Sequence, residues 1–175
     1  MTAEPTLAWM DRGQAARERE ALIALLADSV DSGASVGFLP PLDRAEAEAY
    51  WSSVDAAMEH TGRRLLGLWV VGELAGSIQL QRAEYPNGRH RGEVMKLIVH
   101  RRFRGRGCAR MLMSAMEGEA RRMGLELLVL DTLQGDVAEG MYRKLGWQEA
   151  GVIPRFARVA NGELHATVVF YRILE

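Results

Sequence analysis

Glu93-Val94-Met95-Lys96-Leu97-Ile98-Val99, then Arg102-Phe103-Arg104-Gly105-Arg106-Gly107, then an amphipathic run to Met123: this stretch decides how the chain folds. The first segment is β-branched and apolar enough to form a largely buried strand. The last carries Ala109, Leu112, Met113, Met116, Ala120 and Met123 at steps of three and four, which places them on one helical face. Between strand and helix lies a short loop with two glycines and three arginines. Glycine lets a backbone approach a ligand closely. The N–H groups of a helix's first turn lack intrahelical partners and stand at the positive end of its dipole. Together these features predict a site for a diphosphate.

Working outward, 175 residues with 48% apolar content predict one domain, 1–175, large enough for a real core. A net charge of −1 gives no global polycation, and no recognition motif is present, which argues against a nucleic-acid partner. Arg89, Arg91, Arg101, Arg102, Arg104 and Arg106 nonetheless crowd together, as a phosphate patch or a solvated loop would. Cys108 is the sole cysteine, so no intramolecular disulfide forms. It falls in the first helical turn without a His or Asn partner in any motif, and reads as a small residue beside the loop. His60, His90, His100 and His165 are scattered without metal-ligand spacing, so no metal is expected. The apolar run Ala21 to Ala27 is short and follows Arg17, Glu18, Arg19 and Glu20. No run approaches the roughly 18 apolar residues of a membrane span. A cytoplasmic protein with no membrane partner is the expectation.

Along the chain, Thr6 to Met10 reads as a strand and Gln14 to Asp31 as one helix. Ser32 to Leu42 is a loop stopped by two prolines. Asp43, with Glu46 at the capping-box position, starts a helix to about His60. Leu65 to Val71 and Ser77 to Gln81 form a hairpin, with Glu73-Leu74-Ala75-Gly76 as its turn region. In its second strand Ser77, Gln79 and Gln81 make a polar face. Pro86-Asn87-Gly88 turns into the motif strand, and Gly124 ends the motif helix. Leu127 to Thr132 is the next strand, parallel to the motif strand because a helix joins them. Asp136 caps a short helix through Lys144, and a last hairpin turns at Ala160-Asn161-Gly162. The fold class is α/β: a central mixed, mostly antiparallel sheet with one parallel βαβ unit and helices on both faces.

A dinucleotide fingerprint would need glycine where Arg110 stands and an acidic residue about 20 residues on, and a P-loop would need Gly-Lys-Ser/Thr. Neither is present. The arrangement R-x-x-G-x-G after a strand and opening a helix resembles motif A of the GNAT superfamily of acyl-CoA-dependent N-acyltransferases. The element order is similar to that fold as well. The resemblance implies acetyl-CoA as co-substrate, its pyrophosphate on the N–H groups of Gly105, Arg106, Gly107, Cys108 and Ala109. Arg102, Arg104 and Arg106 would neutralise the phosphates. Leu97, Ile98 and Val99 would offer backbone groups to the pantetheine arm, and an N–H of that strand would stabilise the thioester oxyanion. Tyr142, in Ala138-Glu139-Gly140-Met141-Tyr142-Arg143-Lys144-Leu145-Gly146-Trp147, looks like the family tyrosine that protonates the leaving sulfur. Read from its helix alone, it is equally a core aromatic.

Glu93 stands where many members carry a glutamate that accepts the amine proton, and a strand-end charge paired with Arg89 or Arg91 is its bland alternative. Asp131, ending the next strand, is the rival base or a substrate contact. Gly33-Ala34-Ser35-Val36-Gly37-Phe38, Pro86-Asn87-Gly88, Leu130-Asp131-Thr132 and Gly162-Glu163-Leu164-His165 look like the tabtoxin-resistance branch of the family, which acetylates an amino-acid toxin. Ser35, Phe38, Gln79 and Asp131 are thus candidate substrate contacts. The expected function is acetyl transfer to a primary amine of a small molecule, by direct attack in a ternary complex, with a role in toxin or antibiotic resistance. Acetylation of a protein N-terminus or lysine is the runner-up. A coenzyme A-binding regulatory module without turnover is the alternative from another class. Many proteins resembling the family dimerise, so a homodimer is a further expectation.

Overall fold

Pattern and turn chemistry build a seven-stranded sheet. The computed structural model describes residues 4–175. Its strands are β1 (Thr6–Met10), β2 (Arg64–Val70), β3 (Glu73–Arg82), β4 (Arg91–Val99), β5 (Leu127–Leu133), β6 (Gln148–Arg158) and β7 (Leu164–Ile173). Its helices are α1 (Arg12–Arg17), α2 (Arg19–Asp31), α3 (Arg44–His60), α4 (Cys108–Arg122) and α5 (Val137–Lys144). The strands lie in the order β1-β2-β3-β4-β5-β7-β6. Neighbours are antiparallel except β4 and β5, which α4 joins as a parallel pair. This is the expected α/β architecture with its single parallel unit.

Three local expectations need correction. The helix read as Gln14 to Asp31 begins earlier and is interrupted at Glu18. Hydrogen bonds from the Glu18 N–H to the Gln14 carbonyl (3.0 Å) and from the Leu22 N–H to the Glu18 carbonyl (2.8 Å) carry the rod through that point. Asp43 caps α3 by accepting from the Ala45 N–H, but the reciprocal capping box forms at Asp11 and Gln14 instead. The β2–β3 turn is Val71-Gly72, both at positive φ (53° and 77°), rather than Glu73 to Gly76. Gly76 is a strand residue, and glycine there answers a packing demand. A Cβ on it would stand 2.8 Å from the Ile98 carbonyl oxygen.

Alternation divides the sheet into two faces with separate cores. Leu66, Leu68, Ile78, Leu80 and Val94 meet Leu112, Met113, Met116 and Ala120 of α4 on one face. The α4 residues of this set are at most 1% exposed, as their spacing predicted. On the other face Leu65 and Ile98 meet Leu22, Leu25, Leu26, Trp51 and Val54 from α2 and α3. No buried residue of this second core comes from β5, β6 or β7. That half of the sheet is left without a helical cover, beside the β4–β5 junction. Among the described residues, no helix is long and apolar enough to cross a membrane.

Candidate active site

The β4–β5 pairing lasts three residues, Arg91 with Leu127, Gly92 with Leu128 and Glu93 with Val129. Beyond Glu93, β4 has no strand partner on its β5 side. A bulge accompanies the parting: two steps of β3, Ser77 to Gln79, oppose three of β4, Met95 to Ile98. Lys96, inside the bulge, adopts φ 50°. Bulges bend a strand and re-aim its side chains. The open backbone edge of β4 can receive an extended arm as an added strand.

At the far end of β4, residues Arg101–Phe103 form a 3-10 turn and the chain enters α4 through Gly105 (φ 74°) and Gly107 (φ 82°). Gly107 is the N-cap of α4. No atom lies within 4 Å of a Cβ built on either glycine, so the loop presents open backbone before a helix start. The diphosphate of coenzyme A fits such a surface.

The arginine side chains differ in their commitments. Arg106 lies over the Phe103 ring (5.7 Å). Arg102 does so too (5.5 Å) and pairs with Glu73 at 2.9 Å. Arg104 donates to the Val99 carbonyl (2.9 Å) and the Ser32 hydroxyl (2.7 Å), which makes it a brace of the loop. The Val99 carbonyl is therefore already engaged. The Cys108 side chain is buried in the core under α4, so only its backbone belongs to the helix start.

Where the strands part, three predicted residues come together. Glu93, exposed, is the last paired residue of β4 and faces Val129. Asp131 lies two residues past Val129, on the same face of the sheet. It accepts a hydrogen bond of 2.7 Å from the Thr167 hydroxyl of β7. Tyr142 is carried by α5, whose start is capped by Asp136. Its ring packs against Phe170 and Trp147 at 5.9 and 6.0 Å. Burial, with Asp131 and Asp136 adding repulsion, raises the pKa of the Tyr142 phenol strongly, so it keeps its proton at neutral pH. The hydroxyl has no hydrogen-bond partner among the described residues and is free to donate.

On the helical face, the α2–α3 loop meets the β6–β7 hairpin tip across a cleft of about 260 Å³. Ser35 and Phe38 line it, together with Ala157 to Ala160. Gln79 does not reach its surface. It is fully buried, donates to the Tyr50 hydroxyl (2.9 Å) and accepts from Arg63 (3.4 Å). Gln79 thus acts on the cleft through Tyr50, which sits edge-on to Phe38 at 5.3 Å. Burial pushes the Tyr50 phenol above its ordinary pKa, against the Gln79 hydrogen bond and the Arg63 charge.

Tyr50 and Lys96 escaped the sequence reading. Tyr50 passes for a core aromatic of α3, and strict alternation puts Lys96 on the opposite face with Val94. The available signal was composition: Lys96 is one of two lysines in a chain whose basic side chains are otherwise arginine.

Comparison with known proteins agrees with this geometry. The model of the acetyltransferase (GNAT) family matches residues 28–147. The fold is shared with the Salmonella typhimurium protein yncA, whose structure holds its cofactor acetyl-CoA (TM-score 0.79, 19% identity, 99% of this chain and 95% of that one). It is shared with the ribosomal-protein-alanine N-acetyltransferase of Brucella melitensis (0.78, 19%, 97% and 99%). A candidate phosphinothricin N-acetyltransferase is similar to the same degree (0.80, 19%, 98% and 99%). The chain belongs to the acetyltransferase (GNAT) family, N-acetyltransferases with acetyl-CoA as donor.

Proposed function

We propose that the chain transfers an acetyl group to the primary amine of a small, amino-acid-like molecule, by direct attack in a ternary complex. The observation that carries this reading is the parting of β4 from β5, with Glu93, Asp131 and Tyr142 around it and the open glycine loop at the head of α4. When bound, acetyl-CoA supplies an acetyl group activated as a thioester. The loop N–H groups and Arg106 hold its diphosphate, and the open edge of β4 at Leu97 and Ile98 aligns its arm. Glu93 accepts the proton that the acceptor ammonium must lose before it can attack. Asp131, fixed by Thr167, holds that ammonium near Glu93. Tyr142 hands its proton to the departing sulfur, and solvent returns one to it.

Proteins of this fold carry names that point to unlike acceptors, a ribosomal-protein alanine and phosphinothricin. The acceptor is therefore a matter of the cleft residues. The segments around Ser35, Phe38 and Asp131 resemble the toxin-resistance branch, which supports a small acceptor. Detoxification of an amino-acid-like toxin is the role we assign.

Calorimetric titration of acetyl-CoA tests the foundation: one site per chain at micromolar affinity is expected. Thiol release with a panel of primary amines then tests turnover. Tyr142→Phe should keep the acetyl-CoA affinity and lose about 100-fold or more in kcat. Absence of acetyl-CoA binding would overturn the assignment. Turnover with a peptide N-terminus and none of the small amines would transfer the acceptor to a protein.

A further inference from the structure

Lys96 is the basic side chain that the catalytic scheme leaves unused. The other lysine, Lys144, is exposed on α5. Lys96 stands in the β4 bulge at a positive φ that a side-chain-bearing residue rarely adopts. Unbroken alternation would direct it towards α4 with Val94. The bulge turns it to the opposite face, where its ammonium lies 5.9 Å from the Phe38 ring centre and 5.7 Å from that of Tyr50. Gly37, at φ 93°, lets the loop close over it: a Cβ there would be 3.1 Å from the Lys96 Nζ.

This cation has no carboxylate within ion-pair distance and no hydrogen bond among the described residues. Two aromatic faces favour a positive charge but leave its N–H donors unsatisfied. Burial lowers its pKa, Asp131 raises it, and Arg63 and Glu93 act in opposite directions. Lys96 is half-buried, so its ammonium can still be reached by a ligand. Lys96 is on the face of the sheet away from α4, so the diphosphate at the head of α4 does not complement it. Glu93 and Asp131 stand on that same face of the sheet, and so does Arg63, which donates to Gln79 and Gln81.

We propose that Lys96 binds a carboxylate of the acceptor, so that the acceptor is a small amino acid whose amine lies at Glu93 and Asp131. The assignment rests on the acetyltransferase reading above, and it makes Lys96 a specificity-determining residue.

Its test does not depend on turnover. Protein labelled with ε-¹³C lysine gives a resonance set for each of two lysines, identified by Lys96→Met and Lys144→Arg. Glycine, L-alanine, L-methionine and L-glutamate are titrated beside glycinamide and the corresponding α-amides, with and without coenzyme A. A saturable shift of the Lys96 resonance by one or more of the free acids, with at least tenfold weaker response to the matching amide, is expected. No response to any of the acids, or an equal response to acid and amide, overturns the proposal. For an acid that turns over, Lys96→Met should raise its KM about 10- to 100-fold, as loss of a charged hydrogen bond implies. It should leave the KM of the matching amide within twofold. An equal rise for both makes Lys96 a structural plug. Acetyl-CoA titration run on the same sample separates the two failures. If acetyl-CoA binds and Lys96 does not respond, only the carboxylate assignment falls.

Discussion

Glu93 and Asp131 stand on two strands that part between them, and their surroundings differ. Glu93 is exposed at the last paired position, with no ion pair among the described residues. Asp131 is held by the Thr167 hydroxyl, which fixes its direction. A base needs a free lone pair at the reacting proton, whereas a positioning carboxylate gains from being held. Glu93→Gln should therefore lower kcat about 100-fold and keep acetyl-CoA affinity. Asp131→Asn should act mainly on the acceptor KM. Steady-state kinetics across pH decides, and the opposite pattern would exchange the two roles. The positions of Glu93, Asp131 and Tyr142, at element ends or on a helix face, could be located from pattern, while their proposed roles came from the family resemblance. Lys96 was passed over for a physical reason: a bulge breaks the period of two from which facing is read.

The strand–loop–helix unit of β4 and α4 owes its form to backbone geometry at Gly107. With φ at 82° and empty space around the Cβ position, a side chain there meets no protein atom. It would pay only for the left-handed conformation, about 1–2 kcal/mol, and would project from the loop surface. Gly107→Val should lower acetyl-CoA affinity at least tenfold in calorimetry and lower the melting temperature modestly. Gly107→Ala shares the strain with less bulk and should lose less affinity. Equal losses would assign the effect to backbone conformation alone. At this scale the sequence was a good guide, since glycine positions and apolar steps act locally. It failed at the β2–β3 turn, where Gly72 makes the turn and Gly76 answers a backbone from across the sheet.

Across the whole molecule, α2 and the glycine loop are tied at Arg101, beside the Arg104–Ser32 bond. Asp28 of α2 accepts from the Arg101 N–H at 2.9 Å and pairs with the Arg101 guanidinium, and His100 lies 3.4 Å away. Burial pushes the Asp28 carboxyl up, but the Arg101 hydrogen bonds, with His100 and the Arg101 charge, outweigh it and hold its pKa below 3.8. A pKa depressed by folding stabilises the fold above the unfolded value and stops doing so as pH falls through the folded one. Asp28→Asn should therefore cost about 1–3 kcal/mol at pH 7. The gap to wild type should close as pH is taken below 3.8. Denaturant unfolding at a series of pH values measures it. A gap that persists at the lowest pH would show that the Asp28 charge is not its source. Acetyl-CoA affinity should fall in the same variant, because the loop loses its tie to α2.

Local rules act over a few residues, and what they govern could be read from the chain alone. The strand–glycine loop–helix unit, the order of elements and the parallel pair follow from periodicity, caps and glycine placement, and the resemblance to a known family singled out Glu93 and Tyr142. Assembly decided the rest. Strand pairing ends after Glu93 because β4 bulges against β3, and no single strand carries that information. The same bulge takes Lys96 across the sheet to Phe38 and Tyr50. Gln79 is withdrawn behind Tyr50 because α3 covers its side of β3. Arg104 braces the loop because folding brings Ser32 beside it. These are contacts between residues far apart in the chain, and only closure of the sheet and its two helical layers brings them into range.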